Sequence, residues 1–508
     1  MRAASKRRPP TSPRASAEGL PIVDPQTSSA DRTETLDDLV RSLASPLSAV
    51  VIDDLANDPV KAGAIVGYVA GICAELRAAA VEPGATIAVR VGHDAPSAIA
   101  LLAAATYGVA VPVAADAPDL PTGPFDIRAL VTAVPATRDE APVTVDVSDL
   151  TALRSGEVEQ VPVRGSEEPA LLLPTSGTTG DPKWVRQAQR NLIAAGRFIA
   201  ESLRLSASDR GLAIMPIHHS HGITVTILAP LLSGGELVIV DSSDLEFLQE
   251  ALRCGITWYS AAPTMHASML AAKRAWPSWF ESFHPRVIRS TSDALSARDR
   301  ALLEAEFSAP VIEAYALTEV PGVACTQVLG TVDEPGRMPP QAGSEVETVD
   351  EDGRPTERGV PGRVRVRGAN VMLGYVGGDS LGPDDWFLTS DFGVFGPDGR
   401  LTILGRDSDA IKRGGETIAP GTVESLVEKH PDIERAWVCG MPQEDLGEQI
   451  CVAVISPRGE GAADELLREL RLMLPINMCP SKLLVISAFP GNGEGKIKRS
   501  RLRPLFAE

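Results

Sequence analysis

The chain is 508 residues long and contains 44% apolar and 23% charged residues. This length exceeds what a single hydrophobic core usually serves and predicts two or more domains, and the composition is typical of a water-soluble globular protein. The 48 basic and 67 acidic residues give a net charge of −19. This excess of negative charge disfavours nucleic acids and anionic membrane surfaces as partners, because both would repel the protein.

The N-terminal segment, residues 1–34, is basic, rich in proline, serine and alanine, and without hydrophobic periodicity. It lacks the apolar stretch of a secretory signal, so we predict a disordered tail, with a transit-type sequence as the alternative. No apolar run approaches the roughly 18 residues of a membrane-spanning helix, so we predict no membrane span. The six cysteines are scattered without a Cys-x-x-Cys pair. This pattern predicts reduced thiols in a cytoplasmic protein, and neither a zinc site nor a disulfide framework.

Helical patterns alternate with short strands rich in valine and isoleucine over the first half of the chain. The predicted elements, in chain order, are strand Thr86–Arg90, helix Ala98–Tyr107, strand Val109–Val113, strand Ala170–Leu173, helix Asn191–Leu203, strand Gly211–Met215, helix Ile223–Leu232, strand Glu236–Val240, helix Leu245–Cys254 and strand Thr257–Ser260. Such alternation indicates βαβ units and a parallel sheet with helices on its faces.

The sequence changes character twice farther along the chain. From about residue 342, short strands and Gly/Pro turns predict a β-rich subdomain, and from about residue 405 a compact α+β unit begins. The elements predicted there are strand Gly362–Gly368, helix Pro420–Lys429, strands Ile433–Gly440 and Gln449–Ile455, and helix Asp464–Leu474. We therefore predict an α/β fold with a large N-terminal domain, 35–405, built of parallel and mixed sheets with flanking helices plus the β-rich subdomain. A small α+β C-terminal domain, 406–508, follows it.

The turn after the predicted strand Ala170–Leu173 is the most informative stretch of the chain. It reads Thr175-Ser176-Gly177-Thr178-Thr179-Gly180-Asp181-Pro182-Lys183. Glycines let backbone N–H groups approach an anion closely, hydroxyls add donors, and the lysine adds a positive charge, so this turn suits a polyphosphate. It differs from the P-loop, in which Gly-Lys-Ser/Thr opens a helix, because proline precedes Lys183 and Trp184 follows it. We expect the bulky ring of Trp184 to narrow the opening beside the turn.

The string Ser-Gly-Thr-Thr-Gly-x-Pro-Lys in this turn resembles the nucleotide-binding loop of the adenylate-forming superfamily. That superfamily includes acyl-CoA synthetases, the adenylation domains of peptide synthetases and firefly luciferase. Further stretches resemble the family's other motifs and occur in the family's order. They are Tyr315-Ala316-Leu317-Thr318-Glu319, Asn370–Tyr375, Trp386–Gly393, Gly405–Asp409 and Gly495-Lys496-Ile497-Lys498-Arg499. The resemblance spans about residues 35–502 and implies that the C-terminal domain is a mobile lid.

The resemblance implies a site for ATP and Mg²⁺ on the large domain. The residues that would bind the phosphates are Thr175, Ser176, Gly177, Thr178, Thr179, Gly180 and Lys183. Glu319 would hold the metal, because a carboxylate suits a hard cation, and Thr318 would reach a phosphate oxygen. Tyr315 would offer a packing surface to adenine, Asp391 would accept both ribose hydroxyls, and Arg406 would support the ribose or a phosphate.

The lid contributes a hinge, a tunnel loop and a lysine to the implied mechanism. Ser408 stands at the pivot, where relatives more often carry aspartate or lysine. Gly414 and Gly415 lie in a loop that lines the pantetheine tunnel for coenzyme A in family members. Lys496 would neutralise the negative charge that builds as the acid attacks the α-phosphate.

The resemblance also implies a pocket for the acid. The stretch Pro216–Gly222 places His219 where relatives gate the acyl pocket, and we count His219 among the catalytic candidates with Lys496, Thr318 and Glu319. The residues implied to line the pocket are His219, His221, Ser260, Thr291, Ser292, Asp293 and Ala316. These segments are most similar to the small-acid branch that includes oxalyl-CoA synthetases. Asp293, at a position that is usually uncharged, would repel an oxalate-like diacid and could pair with an amine.

We predict an AMP-forming ligase that activates a carboxylic acid with ATP and passes the acyl group to a thiol, most readily that of coenzyme A. The alternative keeps the adenylation and changes the acceptor to a carrier protein or an amine, or the acid to an unusual oxyacid, as in specialised metabolism. A nucleotide-binding regulator without activity is a third reading, but it predicts loss of Lys496 or Glu319, and both residues are present.

Overall fold

The structure, a computed structural model, describes residues 34–45, 48–134, 141–175, 182–331, 334–414, 416–443, 445–487, 489 and 502–506. The predicted tail, apart from residue 34, lies outside these ranges. So do most of the phosphate turn (176–181), Gly415 and Lys496.

The strands, in chain order, are β1 Val51–Asp53, β2 Val60–Lys61, β3 Thr86–Val91, β4 Val109–Ala114, β5 Ile127–Thr132, β6 Thr144–Asp146, β7 Pro169–Pro174, β8 Trp184–Ala188, β9 Arg210–Ala213, β10 Glu236–Ile239, β11 Trp258–Ala261, β12 Val287–Ser290, β13 Val311–Tyr315, β14 Cys325–Thr326, β15 Ser344–Val349, β16 Gly362–Gly368, β17 Gly374–Tyr375, β18 Phe387–Phe395, β19 Leu401–Arg406, β20 Ile411–Arg413, β21 Glu416–Ile418, β22 Arg435–Gln443, β23 Gly447–Ile455 and β24 Lys482–Val485. The α-helices are α1 Leu36–Leu43, α2 Ala62–Ala78, α3 Ala95–Tyr107, α4 Gln189–Leu203, α5 Ala229–Ser233, α6 Leu245–Ala251, α7 Pro263–Ala275, α8 Ala297–Phe307, α9 Pro420–Val427 and α10 Ala463–Met473.

Two large mixed sheets form the body of the molecule. Sheet I has the order β14-β13-β12-β11-β9-β10-β1-β2, and sheet II has the order β17-β8-β7-β4-β3-β5-β6. The interior neighbours in both sheets are parallel, and antiparallel strands close sheet I at both ends and sheet II at the β8–β17 end. The predicted α/β fold is confirmed. Ligands of such folds bind beyond the carboxyl ends of parallel strands, so the ends of β11, β12 and β13 are the place to look for a site.

Helix α3 shows why the sequence folds into layers. Its apolar residues point in every direction, and all of them are buried, which requires cover on all sides. Its N-terminus is capped by Asp94, whose carboxylate accepts the backbone N–H of Ser97. The surrounding core cluster includes Val89 of sheet II and Leu237 of sheet I. The two large sheets therefore share one hydrophobic core with helices α1 to α4.

Two smaller sheets follow in the C-terminal part of the chain. Sheet III, in the order β15-β16-β18-β19, is antiparallel and corresponds to the predicted β-rich subdomain. Sheet IV, in the order β21-β20-β23-β22 with β24 beside β23, has its own core with α9 and α10. The chain passes from sheet III to sheet IV through one 3₁₀ turn, Asp407–Asp409. The domain limits at 405 and 406 remain a prediction.

Ion pairs join the C-terminal part to the body. Arg435 of β22 pairs with Asp299 of α8, and Arg298 lies 3.6 Å from Glu434. Among the helices of the described ranges, none is both long enough and apolar enough to cross a lipid bilayer.

One predicted helix differs from its prediction. The segment predicted as helix Ile223–Leu232 is a π-helix, Gly222–Leu228, followed by α5. Pro230 has no N–H group to donate to a carbonyl four residues back. The preceding turn is wider, and the N–H of Ala229 reaches the carbonyl of Thr224, five residues back. π-helical turns often occur at functional sites, and this one follows the histidines of the predicted acyl pocket.

Candidate active site

The predicted phosphate turn closes a hairpin between β7 and β8. Pro174 lies opposite Trp184 in the antiparallel pair, and the N–H of Thr175 donates to the carbonyl of Lys183 at 2.8 Å. A strand therefore follows the turn, where a P-loop would be followed by a helix. The ring of Trp184 packs edge-on against Phe125 at 4.8 Å between centroids and is buried. Residues 176–181 of the turn lie outside the described ranges, so the expected narrowing of the opening beside it stays a prediction.

Tyr375 connects the phosphate turn to Glu319. The ammonium group of Lys183 lies 5.2 Å from the centroid of the Tyr375 ring, within the range of a cation–π interaction. The hydroxyl of the same tyrosine donates to Oε1 of Glu319 at 2.7 Å. Burial, followed by the neighbouring Glu319 carboxylate, raises the pKa of Tyr375, so the hydroxyl keeps its proton. Tyr375 therefore contacts the lysine at the end of the turn through its ring and the predicted metal residue through its hydroxyl.

Strand pairing holds this arrangement in place. β17 pairs with β8, so that Tyr375 lies opposite Val185, two residues after Lys183. The backbone carbonyl of Glu319 accepts the N–H of Met372 at 2.9 Å. The side chain of Gln187 donates to the carbonyl of Thr318 at 2.7 Å. Three elements that are distant in the sequence are therefore tied together around Thr318 and Glu319.

A second cluster joins Tyr315, Asp391 and Arg406. The hydroxyl of Tyr315 donates to Oδ2 of Asp391 at 2.6 Å, and Nε of Arg406 lies 3.5 Å from Oδ1. Asp391 and Arg406 are cross-strand partners in sheet III. Burial raises the pKa of Asp391, opposed by the hydrogen bond from Tyr315 and the charge of Arg406. A buried carboxylate with a half-exposed guanidinium beside it can accept hydrogen bonds from ligand hydroxyls.

His221 links the predicted acyl-pocket residues. Its Nδ1 lies 3.1 Å from Oγ of Ser292, and its Nε2 lies 2.9 Å from Oγ of Ser260. Ser292 is exposed and has a φ angle of +76°, which is rare for a residue other than glycine and costs energy that the surrounding structure must supply. Thr291 is buried and donates to the carbonyl of Ala314, so its hydroxyl is already engaged.

The remaining pocket candidates take different positions. Ala316, half-buried, follows the end of β13. Asp293 is exposed, and its carboxylate accepts the backbone N–H of Ala294 at 2.8 Å. The ring of His219 packs against that of His218 at 4.2 Å between centroids. Burial, followed by the proximity of His219, lowers the pKa of His218 to about 4, so His218 is neutral near neutral pH.

Most of the chain matches two known protein families. The family of AMP-binding enzymes matches residues 69–376, and the C-terminal domain of AMP-binding enzymes matches residues 422–496. The chain belongs to the AMP-binding enzyme family. The predicted membership of the adenylate-forming superfamily is thereby confirmed.

Curated relatives of this family are CoA ligases. A probable CoA ligase of Humulus lupulus is 34% identical over 65% of this chain and 65% of its own length. The oxalate–CoA ligase of Saccharomyces cerevisiae is 32% identical over 68% of this chain and 64% of its own. The sulfoacetate–CoA ligase of Cupriavidus necator is 32% identical over 78% and 74%. The matches to the first two relatives thus span slightly less than two thirds of those proteins.

Solved structures of the family share the fold. The ATP-bound structure of MatB from Rhodopseudomonas palustris superposes with a TM-score of 0.82 at 22% identity, covering 93% of this chain and 99% of that one. The o-succinylbenzoate CoA synthetase of Bacillus subtilis, solved with its acyl-adenylate intermediate, gives a TM-score of 0.73 at 24% identity, covering 92% and 97%. The similarity extends through both the body and the C-terminal part.

Not every family motif can be followed in the structure. Ser176, Gly177, Thr178, Thr179, Gly180, Gly415 and Lys496 lie outside the described residues, so their roles stay predictions. Ser408 lies in the 3₁₀ turn between sheets III and IV. Gly414 donates its N–H to the carbonyl of Leu446 within the C-terminal part. The proposed hinge and tunnel roles of these two residues also stay predictions.

Sequence analysis missed residues that the structure shows at the site. Tyr375 and Arg289 lay in stretches that resemble family motifs, but we assigned neither residue a role, and Gln187 carried no signal. Tyr375 is separated from Glu319 by 56 positions. Only the pairing of β17 with β8 brings it beside the turn.

Gly222, at the start of the π-helix, provides a stability test of the histidine segment. A β-carbon there would lie 2.2 Å from the carbonyl oxygen of Pro216 and 2.7 Å from Cα of Ile217, closer than atoms pack without backbone movement. We expect Gly222→Ala to destabilise the fold by roughly 3 kcal/mol, measured by chemical denaturation. Gly63→Ala in α2 is the matched control, because its β-carbon meets nothing within 4 Å. It should be neutral or stabilise by about 0.5–1 kcal/mol, and equal losses in both variants would contradict the steric argument.

Proposed function

We propose that the protein is an ATP-dependent, AMP-forming ligase that activates a carboxylic acid and transfers the acyl group to coenzyme A. One observation carries the proposal: Tyr375 joins Lys183, at the end of the phosphate turn, to Glu319. The ammonium group of Lys183, which suits phosphates, and the carboxylate of Glu319, which suits Mg²⁺, thus both contact the side chain of Tyr375. The CoA-ligase relatives support the same reaction class.

The residues present fit a magnesium ion that is held mainly by the nucleotide. Within the described ranges, no group of three or more His, Cys, Asp or Glu side chains is arranged to hold a metal. Mg²⁺ typically keeps several waters and binds through one or two carboxylates together with substrate phosphates. Glu319, half-buried and oriented by Tyr375, supplies such a carboxylate. When bound, the ion neutralises charge on the phosphates.

The chain's own residues position the two substrates. Asp391, supported by Tyr315 and Arg406, accepts the ribose hydroxyls. The phosphate turn, with Lys183, holds the polyphosphate, so that an oxygen of the acid faces the α-phosphorus. A free carboxylate is a poor electrophile. The carboxylate oxygen therefore first attacks the α-phosphorus, pyrophosphate leaves, and an acyl-adenylate forms. In this acyl-adenylate the acyl carbon is activated, because AMP is a good leaving group.

The second step needs a rearrangement of the C-terminal part. In the proposal, Lys496 stabilises the charge of the first step and then withdraws as the lid, 406–508, turns about Ser408. The Gly414–Gly415 loop then reaches the body, and the thiol attacks the acyl carbon, with AMP leaving. The short 3₁₀ turn that connects sheets III and IV supports a pivot at this position.

We infer that the acid is small and that the reaction takes place in the cytoplasm. The relatives named for oxalate and sulfoacetate support a small acid. All six cysteines are free thiols, which supports a reducing compartment. A carrier-protein thiol or an amine remains the alternative acceptor.

Product analysis separates these possibilities. Purified protein is incubated with ATP, Mg²⁺ and a panel of acids, with and without coenzyme A, and products are identified by mass spectrometry. We expect AMP, pyrophosphate and an acyl-CoA in the presence of coenzyme A. Acid-dependent AMP without an acyl-CoA would favour another acceptor, and the absence of any ATP turnover would contradict the enzyme.

Tyr375 offers a test of the proposed link between the turn and the metal residue. We expect Tyr375→Phe to raise the Mg²⁺ concentration for half-maximal rate about 3- to 10-fold, because the hydrogen bond to Glu319 is worth roughly 1 kcal/mol while the ring beneath Lys183 remains. Tyr375→Leu removes the ring as well and should also raise KM for ATP. Identical kinetics in the wild type and both variants would contradict the role of Tyr375.

A further inference from the structure

A buried arginine lies behind the predicted acyl pocket without a carboxylate partner. Arg289, in β12, is fully buried, and among the described residues it forms no ion pair. It donates to Oγ of Ser260 at 3.3 Å and to the carbonyl of Gly322 at 2.7 Å, while its Nε has no hydrogen-bond partner in the described part of the chain. Burial lowers its pKa to about 9, so it remains charged at neutral pH. A buried charge of this kind is costly unless something compensates it.

The donors and acceptors available to Arg289, Ser260 and His221 determine which group donates in each of their hydrogen bonds. An arginine N–H can only donate, so Oγ of Ser260 accepts from Arg289. Ser260 is fully buried, and its only other polar contact among described residues is Nε2 of His221. A buried hydroxyl proton requires an acceptor, so Ser260 donates to Nε2.

The same reasoning assigns the donor in the hydrogen bond between His221 and Ser292, at the surface of the pocket. Since Nε2 of His221 accepts, the ring carries its proton on Nδ1, which donates to Oγ of Ser292. The hydroxyl proton of Ser292 then points away from His221, and Ser292 is exposed. Ser292 follows β12 at the same edge of sheet I where Thr318 and Glu319 follow β13, the edge at which such sheets bind ligands.

We propose that Arg289, Ser260, His221 and Ser292 form a one-way hydrogen-bond relay that makes Ser292 a donor to a second oxyanion on the acid. The inference rests on the proposed function and adds the substrate class: acids that carry, besides the reacting carboxylate, another negatively charged oxygen group. Arg289 is a positioning residue in this relay. Its charge lies behind the pocket, favours the anion, and fixes which nitrogen of His221 holds the proton. The strained backbone of Ser292 is the cost of aiming its hydroxyl.

Asp293 provides the opposing expectation. Its exposed carboxylate neighbours Ser292 and favours an ammonium group on the substrate instead. Ser292 and Asp293 thus favour opposite charges on the same part of the acid. The relay predicts that a negatively charged group is preferred there, because water screens the buried charge of Arg289 far less than the exposed charge of Asp293.

Matched acids separate the two expectations. Initial rates of AMP formation are compared for malonate, propionate and β-alanine, and for succinate, butyrate and γ-aminobutyrate, at equal carbon number. We expect kcat/KM to be about 10- to 100-fold higher for the dicarboxylate than for the monocarboxylate of either series, the range for a hydrogen bond to a charged group. Equal or better use of the monocarboxylate or the amino acid would overturn the relay and leave the ligase intact. If none of these acids or those of the wider panel is activated, the proposed function itself fails.

Variants test the relay residue by residue. Ser292→Ala should lower kcat/KM for the dicarboxylate by about 10-fold or more relative to the monocarboxylate, because it removes the proposed donor to the second oxyanion. Ser296→Ala, on the N-cap of the next helix, is a control outside the relay. An unchanged preference in Ser292→Ala would overturn the proposal.

The role of Arg289 has a spectroscopic readout. In protein labelled with ¹⁵N-histidine, the wild type should show His221 as the Nδ1–H tautomer, assigned by comparison with His221→Gln. Arg289→Met should shift His221 toward the other tautomer or a mixture, and Arg289→Lys, which keeps a charged donor, should retain it in part. If Arg289→Met does not fold, Ser260→Ala tests the same link. A wild-type His221 protonated on Nε2 would contradict the relay.

Discussion

Replacing Lys496 with alanine is expected to lower the rate of acyl-adenylate formation by about 10²- to 10³-fold, the usual cost of removing one group that stabilises developing negative charge. The rate of the second step, measured from supplied acyl-adenylate and coenzyme A, should change much less, because the proposed mechanism has the lysine withdrawn by then. Rapid-quench measurements of pyrophosphate formation report the first step, and measurements of acyl-CoA formation from supplied acyl-adenylate report the second.

Lys498→Ala is the matched control for this prediction. It removes the same charge two positions away, at the position that the motif Gly-Lys-Ile-x-Arg leaves open, and it should leave both steps within about 2-fold. An equal loss in the two variants would mean that the segment needs positive charge in general. An equal loss in both half-reactions of Lys496→Ala would contradict the proposed withdrawal.

Glu319→Gln is expected to lower kcat/KM for MgATP by about 10²-fold and to raise the Mg²⁺ requirement. The amide has nearly the shape of the carboxylate, and its oxygen can still accept the hydrogen bond from Tyr375, so the change removes the charge and little else. Hard cations prefer carboxylate oxygens, and titration of activity against free Mg²⁺ at fixed ATP measures the loss.

Glu351→Gln controls for the loss of one negative charge, because Glu351 is exposed on a turn after β15. It should behave like the wild type. Thermal denaturation of both variants shows whether the fold is intact. A Glu319→Gln enzyme that keeps its normal Mg²⁺ requirement would remove Glu319 from the proposed metal site.

The fold was predictable because its signals are local. The period of apolar residues identified α4, β3, β4 and β16 to within a few positions, and the α/β class followed from their alternation. The π-helix was not predictable in this way, because apolar residues recur over Gly222–Leu228 much as they would in an α-helix. Only Pro230, one residue into α5, marked the irregularity.

The candidate site was predictable only where motifs are contiguous. Glu319, Asp391 and His221 occur in contiguous motifs. In the structure Asp391 accepts a hydrogen bond from Tyr315, and His221 contacts Ser260 and Ser292, which were all predicted site residues. Glu319 contacts Tyr375, to which no role had been assigned. Arg289 stood between apolar and small residues of a strand, and its burial without a countercharge depends on three-dimensional packing. The hydroxyl of Tyr375 likewise gained its meaning only from the pairing of β17 with β8.

The exchange of labelled pyrophosphate into ATP tests the central claim most directly, because it requires reversible formation of an acyl-adenylate at one site. We predict exchange that needs an acid and Mg²⁺, proceeds without coenzyme A, and falls by about 10²-fold in Glu319→Gln. Exchange that does not depend on the acid, or cleavage of ATP to ADP and phosphate in its place, would contradict a site that joins Lys183, Tyr375 and Glu319 around the nucleotide.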